Sequence, residues 1–214
     1  MLIGICGLIG SGKGTVADTL VDDHGFTKIS FADKLKDTVA HLYDWDRAML
    51  EGDNEQSRKW REQVDEFWTQ ETGRKITPRI VLQEFGTDCM RNGFDKNIWV
   101  SFVKKKIIAN PDVNYIIPDV RFPNEIDVIK ELDGQVWQVR RGQLPLWWAT
   151  AKSINANWKH VEGSHNSMTA VFPEVHESEW RWVSEDTNFT QVITNDSTVE
   201  KLSEKVKNLV NNSF

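Results

Sequence analysis

Near its start the chain reads Leu2-Ile3-Gly4-Ile5-Cys6 and then Gly7-Leu8-Ile9-Gly10-Ser11-Gly12-Lys13-Gly14-Thr15. The apolar run predicts a buried strand, and the residues after Thr15 have the pattern of an amphipathic helix. The glycines let backbone N–H groups turn inward around an anion, the helix N-terminus favours negative charge, and Lys13 adds a mobile cation. The stretch therefore predicts a phosphate-binding loop for a nucleoside triphosphate.

The residue after Lys13 is Gly14, where the simplest form of this loop has serine or threonine. The hydroxyl that usually contacts Mg²⁺ must then come from Thr15, or a water molecule replaces it. A loop of the form Gly-Lys-Gly-Thr resembles that of nucleoside monophosphate kinases of the adenylate kinase type. This detail favours phosphoryl transfer between small nucleotides.

Length and charge limit the classes of protein to consider. The chain has 214 residues, which suits one α/β domain with an inserted lid or small subdomain. Its net charge of −6 offers no general attraction for polymeric nucleic acid, which is therefore an unlikely partner. No apolar run approaches the roughly 20 residues of a membrane span, and no signal peptide is recognisable, so we expect a soluble, cytoplasmic protein.

Strands and helices alternate along the chain. We expect strands at residues 2–6, 27–31, 114–119, 135–139 and 190–193, and helices at 33–42, 78–90, 124–132 and after a capping box at Ser197-Thr198-Val199-Glu200. Between them lie a charged stretch at 44–76, which predicts a helical flap, and a tryptophan-rich segment after Arg141, which predicts a lid. The pattern predicts a doubly wound parallel five-stranded sheet that binds its ligands at the carboxyl ends of the strands.

Charged residues at strand ends are the first candidates for chemistry. Asp119 ends a nearly all-apolar strand, where a carboxylate usually holds a metal-bound water; the alternative is a turn or helix cap. Arg121 can bind a phosphate through two hydrogen bonds, or form an ordinary surface ion pair with Glu125. Arg141 begins the lid, where positive charge would close over a triphosphate.

One helix carries a polar stripe that allows two interpretations. Its members recur at nearly helical spacing over residues 78–91 and are Arg79, Gln83, Thr87, Asp88 and Arg91. Periodicity alone favours a solvated helix face. A phosphate-binding role needs support from elsewhere in the sequence. The lid tryptophans are likewise expected to pack rather than to stack on a base.

Further segments extend the pattern over nearly the whole chain. They are Lys36-Asp37; Arg79 with Leu82-Gln83-Glu84-Phe85-Gly86-Thr87-Asp88; Asn92-Gly93-Phe94-Asp95 with Trp99-Val100; Ile116-Ile117-Pro118-Asp119-Val120-Arg121 with Glu125 and Asp127; His176-Glu177-Ser178-Glu179; and Val192-Ile193-Thr194-Asn195-Asp196-Ser197. The Gly-Thr-Asp, Pro-Asp-x-Arg and Ile-Thr-Asn-Asp segments, in this order after Gly-Lys-x-Thr, are the most specific. With them the chain resembles the deoxynucleoside monophosphate kinases of T-even and related phages.

The resemblance implies a single P-loop kinase domain of the nucleoside monophosphate kinase type, with a helical NMP-binding flap at about 36–95 and a lid at about 141–189. It implies transfer of the γ-phosphate of ATP, with Mg²⁺, to the 5′-phosphate of a deoxynucleoside monophosphate (dNMP) for DNA precursor synthesis. It also implies a homodimer, working in the host cytoplasm if the chain is phage-encoded. Which bases are accepted does not transfer with it.

The residue pattern and the resemblance together imply roles for individual residues. The expected catalytic residues are Lys13, Arg121 and Arg141, and the expected Mg²⁺ ligands are Thr15 and Asp119. ATP is bound by the loop residues Gly10, Ser11, Gly12, Lys13, Gly14 and Thr15 and, at its base end, by Thr194, Asn195 and Asp196. The acceptor is bound by Lys36, Arg79, Gln83, Thr87, Asp88, Arg91, Trp99 and Arg121.

Two alternatives stay open from the sequence. One is a P-loop kinase that acts on modified pyrimidines, either as nucleotides or within DNA. The other is a nucleotide-dependent switch without transfer activity, although Asp119, Arg121 and the cationic helix stripe argue against it because a switch needs no second phosphate site.

Overall fold

The computed structural model describes residues 1–157, 168 and 170–211. Its strands are β1 (Leu2–Cys6), β2 (Thr27–Lys28), β3 (Tyr115–Ile117), β4 (Gln135–Arg140) and β5 (Gln191–Thr194). Its α-helices are α1 (Lys13–His24), α2 (Asp33–Tyr43), α3 (Glu55–Glu62), α4 (Glu66–Thr72), α5 (Pro78–Gln83), α6 (Ile98–Ile108), α7 (Pro123–Glu131), α8 (Trp148–Asn157), α9 (Glu177–Trp180) and α10 (Val199–Asn211). A π-helix (Glu84–Asn92) follows α5, and a 3₁₀ turn (Asp186–Asn188) precedes β5.

The five strands form one parallel sheet in the order β2-β3-β1-β4-β5. The central strand β1 is buried along its whole length, as its apolar sequence predicts. Its neighbours β3 and β4 pair with it in register at Ile3↔Ile116 and Ile5↔Trp137. The predicted five-stranded parallel sheet is confirmed.

Helices cover both faces of this sheet. On one face Ile3 and Ile5 of β1 belong to a buried cluster that includes Leu20 of α1 and Val206 of α10. Side chains alternate along a strand, so Gly4 faces the other side, where a Cβ would overlap the Ile129 side chain of α7. The sheet is therefore doubly wound, as predicted, and Gly4 allows α7 to pack closely.

Three local predictions differ from the structure. The expected helix over residues 78–90 divides into α5 and the π-helix at Glu84. The expected strand at 27–31 is reduced to Thr27–Lys28. The last helix begins at Val199, and the Thr198 hydroxyl, rather than that of Ser197, accepts a hydrogen bond from the Lys201 N–H at 3.4 Å. The sequence Ser-Thr offered two adjacent caps, and its pattern does not distinguish them.

The chain divides into two compact units. The first contains residues 1–30 and 107–214 and includes the sheet; the second contains residues 31–106. The second unit has its own buried cluster, which includes Val39, Leu50 and Trp99. Three of its helices, α3, α4 and α5, begin at side-chain caps on Asn54, Asp65 and Thr77. Among the described residues, no helix is long and apolar enough to cross a membrane.

Candidate active site

The loop between β1 and α1 has the backbone form that its glycines predict. Gly10 and Gly12 have φ angles of 76° and 104°, which residues with a Cβ rarely adopt. At Gly12 a Cβ would also lie 2.5 Å from Nδ2 of Asn195. The Ser11 N–H donates to the Leu8 carbonyl at 3.2 Å and closes the loop. Gly12 is therefore required both by its conformation and by its close neighbour.

Lys13 is the first residue of α1, and its side chain turns back over the loop. Its Nζ donates to the carbonyls of Gly7 and Leu8, at 2.7 and 2.8 Å. Burial and the nearby charge of Arg121 lower the pKa of Lys13 from 10.5 to about 8, although Glu179 and Asp119 act in the opposite direction. An anion beside this ammonium group would remove much of the penalty for its burial.

Asn195 supports the loop from behind. It follows β5, is only 8% exposed, and donates from Nδ2 to the Ser11 carbonyl at 2.9 Å. Its own N–H donates to the Arg140 carbonyl at 2.7 Å. The two adjacent residues, Thr194 and Asp196, which are also predicted to bind the base end of ATP, are exposed. The side chain of Asn195 thus positions the loop, a role that its sequence segment did not indicate.

Asp119 lies two residues beyond β3, at the same edge of the sheet as the loop. Its Oδ2 accepts a hydrogen bond from Ser30 Oγ at 2.5 Å, and the next residue, Val120, donates from its N–H to the Ile5 carbonyl of β1. Because its carboxylate also acts on the pKa of Lys13, it lies within electrostatic range of the loop. The structure brings Asp119 and Lys13 together, as expected for adjacent parallel strands.

The residues proposed for Mg²⁺ fit that ion in part. Thr15, on the first turn of α1, and Asp119 both offer the hard oxygen ligands that Mg²⁺ prefers. No group of three or more His, Cys, Asp or Glu side chains that could enclose a metal occurs among the residues described. A Mg²⁺ ion here would take its remaining ligands from phosphate oxygens and water, which is usual for Mg²⁺ in kinases.

Arg121 is held by two carboxylates. Its guanidinium Nη1 pairs with Glu179 Oε1 at 2.6 Å, and its backbone N–H donates to Glu125 Oε2 at 2.7 Å. Glu125 is 2% exposed and also accepts from the Phe122 N–H. Glu125 thus contacts the backbone of Arg121. The pairing of Arg121 with Glu179, 58 residues away, had no local signal in the sequence.

Three of the lid tryptophans pack in the interior, as expected. Trp148, Trp180 and Trp182 are at most 7% exposed, and the rings of Trp148 and Trp182 meet edge to face with 5.5 Å between centroids. Arg140, the last residue of β4, lies over the Trp148 ring at 5.9 Å and pairs with Asp186, whereas Arg141 is exposed just beyond the strand. Part of the predicted lid, residues 158–167 and 169 with Trp158, lies outside the described residues.

In the second unit, the predicted acceptor residues are largely exposed or held by carboxylates. Lys36 is 12% exposed and pairs with Glu51 at 2.5 Å, and Arg79 pairs with Glu62. The other residues of the stripe lie at or beyond the end of α5. Gln83 and Asp88 are exposed, and Thr87 and Arg91 are half-buried.

The π-helix changes the expected stripe. A π-helix closes its hydrogen bonds over five residues instead of four, so the i, i+4 spacing that relates Gln83, Thr87 and Arg91 does not place them in a straight row. The single-helix interpretation of the stripe is therefore incorrect beyond Gln83. Such segments are frequent at functional sites.

Trp99 has a structural role in this unit. Its side chain is 4% exposed and belongs to the buried cluster, and its indole N–H donates to the Gly86 carbonyl of the π-helix at 2.9 Å. The only hydrogen-bond donor of its side chain is thus used within the protein. Contact of Trp99 with an acceptor stays a prediction.

Comparisons with known proteins agree with the resemblance. The family model described as "Deoxynucleotide monophosphate kinase" matches residues 49–145. A protein of Acanthamoeba polyphaga mimivirus, named "Putative deoxynucleotide monophosphate kinase", is 37% identical over 152 residues, which cover 66% of this chain and 74% of the viral protein.

Similar solved structures include two kinases. Shikimate kinase from Aquifex aeolicus is 11% identical with a TM-score of 0.43, and covers 100% of this chain and 98% of its own. Dephospho-CoA kinase from Campylobacter jejuni is 13% identical with a TM-score of 0.43, and covers 99% and 96%. Likeness at this level adds nothing to the assignment, which depends on the sequence relationship. By that relationship the chain belongs to the deoxynucleotide monophosphate kinase family and is a phosphotransferase.

Proposed function

We propose that this enzyme uses ATP and Mg²⁺ to phosphorylate deoxynucleoside 5′-monophosphates to diphosphates, and so supplies precursors for DNA synthesis. The observation that carries the proposal is the loop of residues 7–15, with Lys13 in electrostatic range of Arg121 and Asp119. A protein that only binds a triphosphate needs the loop but not the additional arginine.

The donor half of the reaction is assigned to the first unit. Inward-facing N–H groups of the loop and the N-terminus of α1 bind the β- and γ-phosphates of ATP. Lys13 exchanges its hydrogen bonds with the Gly7 and Leu8 carbonyls for phosphate oxygens. Thr194 and Asp196 are proposed at the base end of ATP, and Asn195 positions the loop through Ser11. When bound, Mg²⁺ neutralises charge on the phosphate oxygens, and Thr15 and Asp119 are the residues proposed to hold it.

The acceptor half is assigned chiefly to the second unit. Lys36, Arg79 and Arg91 supply positive charge for the monophosphate, and Gln83, Thr87 and Asp88 supply polar groups. Exposed side chains along α5 and the start of the π-helix support this assignment because they are accessible to a ligand. A Trp99 contact with the acceptor is retained from the family resemblance.

The transfer step itself requires positioning and charge neutralisation rather than a general base. The acceptor phosphate has a second pKa near about 6, so it already presents an anionic oxygen at neutral pH. Arg121 and Arg141 are proposed to neutralise the charge that spreads over the transferred group. To do so, Arg121 must break its ion pair with Glu179, whose carboxylate accepts a hydrogen bond from Nη1 in the free protein. A flap at about 36–95 and a lid at about 141–189 would exclude water and limit ATP hydrolysis.

A coupled ADP-release assay tests the proposal. The purified protein is incubated with ATP, Mg²⁺ and each deoxynucleoside monophosphate in turn, including hydroxymethylated pyrimidines. We expect ADP release above the blank without acceptor for at least one of them. ADP release that never exceeds this blank would favour a nucleotide switch instead. Sedimentation analysis of the same preparation tests the homodimer that the family resemblance implies.

Two variants separate the two halves of the site. Lys13→Ala should nearly abolish transfer because the triphosphate loses its mobile cation. Arg79→Ala should mainly raise the KM for the acceptor and leave the KM for ATP close to that of the parent. Unchanged turnover in both variants would contradict the residue assignments.

A further inference from the structure

Arg61 of α3 is a half-buried arginine in the second unit that the sequence did not single out. Its Nη1 donates to the backbone carbonyl of Glu51 at 3.1 Å, and its Nε is buried without a hydrogen-bond partner. Within the described part of the chain no carboxylate lies at ion-pair distance from it, and its Nη2 makes no hydrogen bond. A buried Nε without a hydrogen-bond partner is an unsatisfied polar donor, which costs free energy.

The backbone is shaped to receive this guanidinium. Gly52 has a φ of 68°, and a Cβ at this position would overlap Nη1 and Cζ of Arg61. The glycine therefore serves two purposes, since it adopts the left-handed conformation and leaves room for the side chain. The hydrogen bond to Glu51 and this close packing position the guanidinium in the free protein.

A second cation lies near the first. Burial and the positive charge of Arg79 lower the pKa of Arg61, and the carboxylates of Glu62 and Glu51 only partly compensate. Both carboxylates already have other partners, because Glu62 pairs with Arg79 and Glu51 pairs with Lys36. A cation remains that an external anion can satisfy.

We propose that Arg61 binds the phosphate of the acceptor nucleotide together with Arg79, and that the ligand class of this cluster is a phosphate monoester dianion. This inference rests on the proposed function, since it identifies a further binding residue for the same acceptor. The guanidinium edge formed by Nε and Nη2 has the fork geometry that binds two phosphate oxygens. A small shift of the side chain on ligand binding would open this edge, and Lys36 lies on the same Glu51 network.

Steady-state kinetics with the full-length protein test the assignment. Arg61→Met removes the charge but keeps an unbranched side chain. We expect the KM for the best dNMP acceptor to rise at least about tenfold, as for loss of a charge-assisted hydrogen bond, with the KM for ATP within about twofold of the parent. The matched control is Arg58→Met on the same helix, where an exposed arginine bonds the Asn54 carbonyl; it should change neither constant.

A second variant separates binding from loss of charge or folding. Gly52→Ala keeps Arg61 but pushes its guanidinium out of place, so it should also raise the acceptor KM and spare that for ATP. Circular dichroism melting shows whether each variant is folded. An acceptor KM within about twofold of the parent in folded Arg61→Met, or an equal rise in Arg58→Met, would overturn the proposal. If Arg61→Met does not fold, folded Gly52→Ala decides by the same criterion.

Inorganic phosphate distinguishes this inference from the proposed function. Millimolar phosphate should raise the thermal unfolding midpoint of the parent, and it should do so less in both Arg61→Met and Gly52→Ala than in Arg58→Met. If the parent transfers phosphate to no dNMP but this pattern holds, the proposed function fails and the anion site stands. If the parent transfers phosphate normally and phosphate protects all variants equally, the anion site fails and the proposed function stands.

Discussion

The lowered pKa of Lys13 predicts that nucleotide binding takes up a proton at alkaline pH. In the free protein the pKa of Lys13 is about 8 because the ammonium group is buried and lies near Arg121. Phosphate oxygens beside it favour the charged form, and we expect its pKa in the complex to return above about 10. When Lys13 is neutral in the free protein, it therefore takes up a proton as the triphosphate binds.

The size of the effect follows from the two protonation curves. At pH 9 a group with a pKa of about 8 is roughly 10% protonated and one with a pKa above about 10 is at least 90% protonated, so binding takes up about 0.8 to 0.9 proton. At pH 7 the uptake falls to about 0.1 proton. The affinity for ATP should weaken about tenfold between these values, or about 1.4 kcal/mol.

Isothermal titration calorimetry measures this proton uptake directly. ATP is titrated without acceptor at pH 7 and pH 9, in pairs of buffers that differ in ionisation enthalpy, and the dependence of the measured heat on that enthalpy gives the proton number. At pH 9 the ATP phosphates are fully ionised, so they contribute little. Lys13→Met serves as the control and should lose the uptake even where its weak binding is still measurable. Uptake below about 0.2 proton at pH 9 in the parent would refute the reasoning.

The same pKa shift affects the stability of the free protein. The unfolded chain keeps Lys13 protonated up to about its ordinary pKa of 10.5, whereas the folded protein loses this proton near pH 8. Between these values the unfolded state binds more protons, so the contribution of Lys13 to folding stability increases with pH. Below about pH 8 the full penalty for burying the charge remains.

Three further substitutions test the supports of the loop and of Arg121. Gly12→Ala should abolish detectable ATP binding in calorimetry while the protein remains folded, because a Cβ at this φ would lie 2.5 Å from Asn195 Nδ2. Asn195→Ala should lower the free energy of unfolding in urea by about 1 to 3 kcal/mol, because the buried Ser11 carbonyl loses its donor; an unchanged urea midpoint would contradict this role. Glu125→Ala should lower the unfolding free energy by about 2 kcal/mol or more and reduce kcat, since it releases the backbone of Arg121; a kcat equal to the parent's would show that this anchoring does not matter for transfer.

The sequence predicted those features that depend on neighbouring residues. The loop, the five strands and the carboxylate beyond β3 each come from a short stretch with a clear apolar or glycine pattern. Parallel strands bring their carboxyl ends to one edge of a sheet, which is why the proximity of Asp119 and Lys13 followed from the fold class.

The sequence did not reveal contacts between residues that lie far apart in the chain. It also did not reveal whether a helical segment forms an α-helix or a π-helix. Glu179 and Asn195 reach their partners across 58 and 184 residues, and nothing local marks which polar group they will meet. The π-helix at Glu84 satisfies the same side-chain preferences as an α-helix, so residue spacing alone could not reveal it. Arg61 lies in a charged stretch in which each arginine looks equally exposed.

The contact between Asn195 and the loop also sets an order for synthesis. Ser11 and Gly12 leave the ribosome before the side chain that holds them, which is made 184 residues after Ser11. Leu202 of α10, which packs close to Gly12, follows later still. We therefore expect ribosome-bound chains to bind ATP only after Asn195 and Leu202 have emerged. A growing chain would then acquire its triphosphate site together with α10, the helix that completes the cover on one face of the sheet.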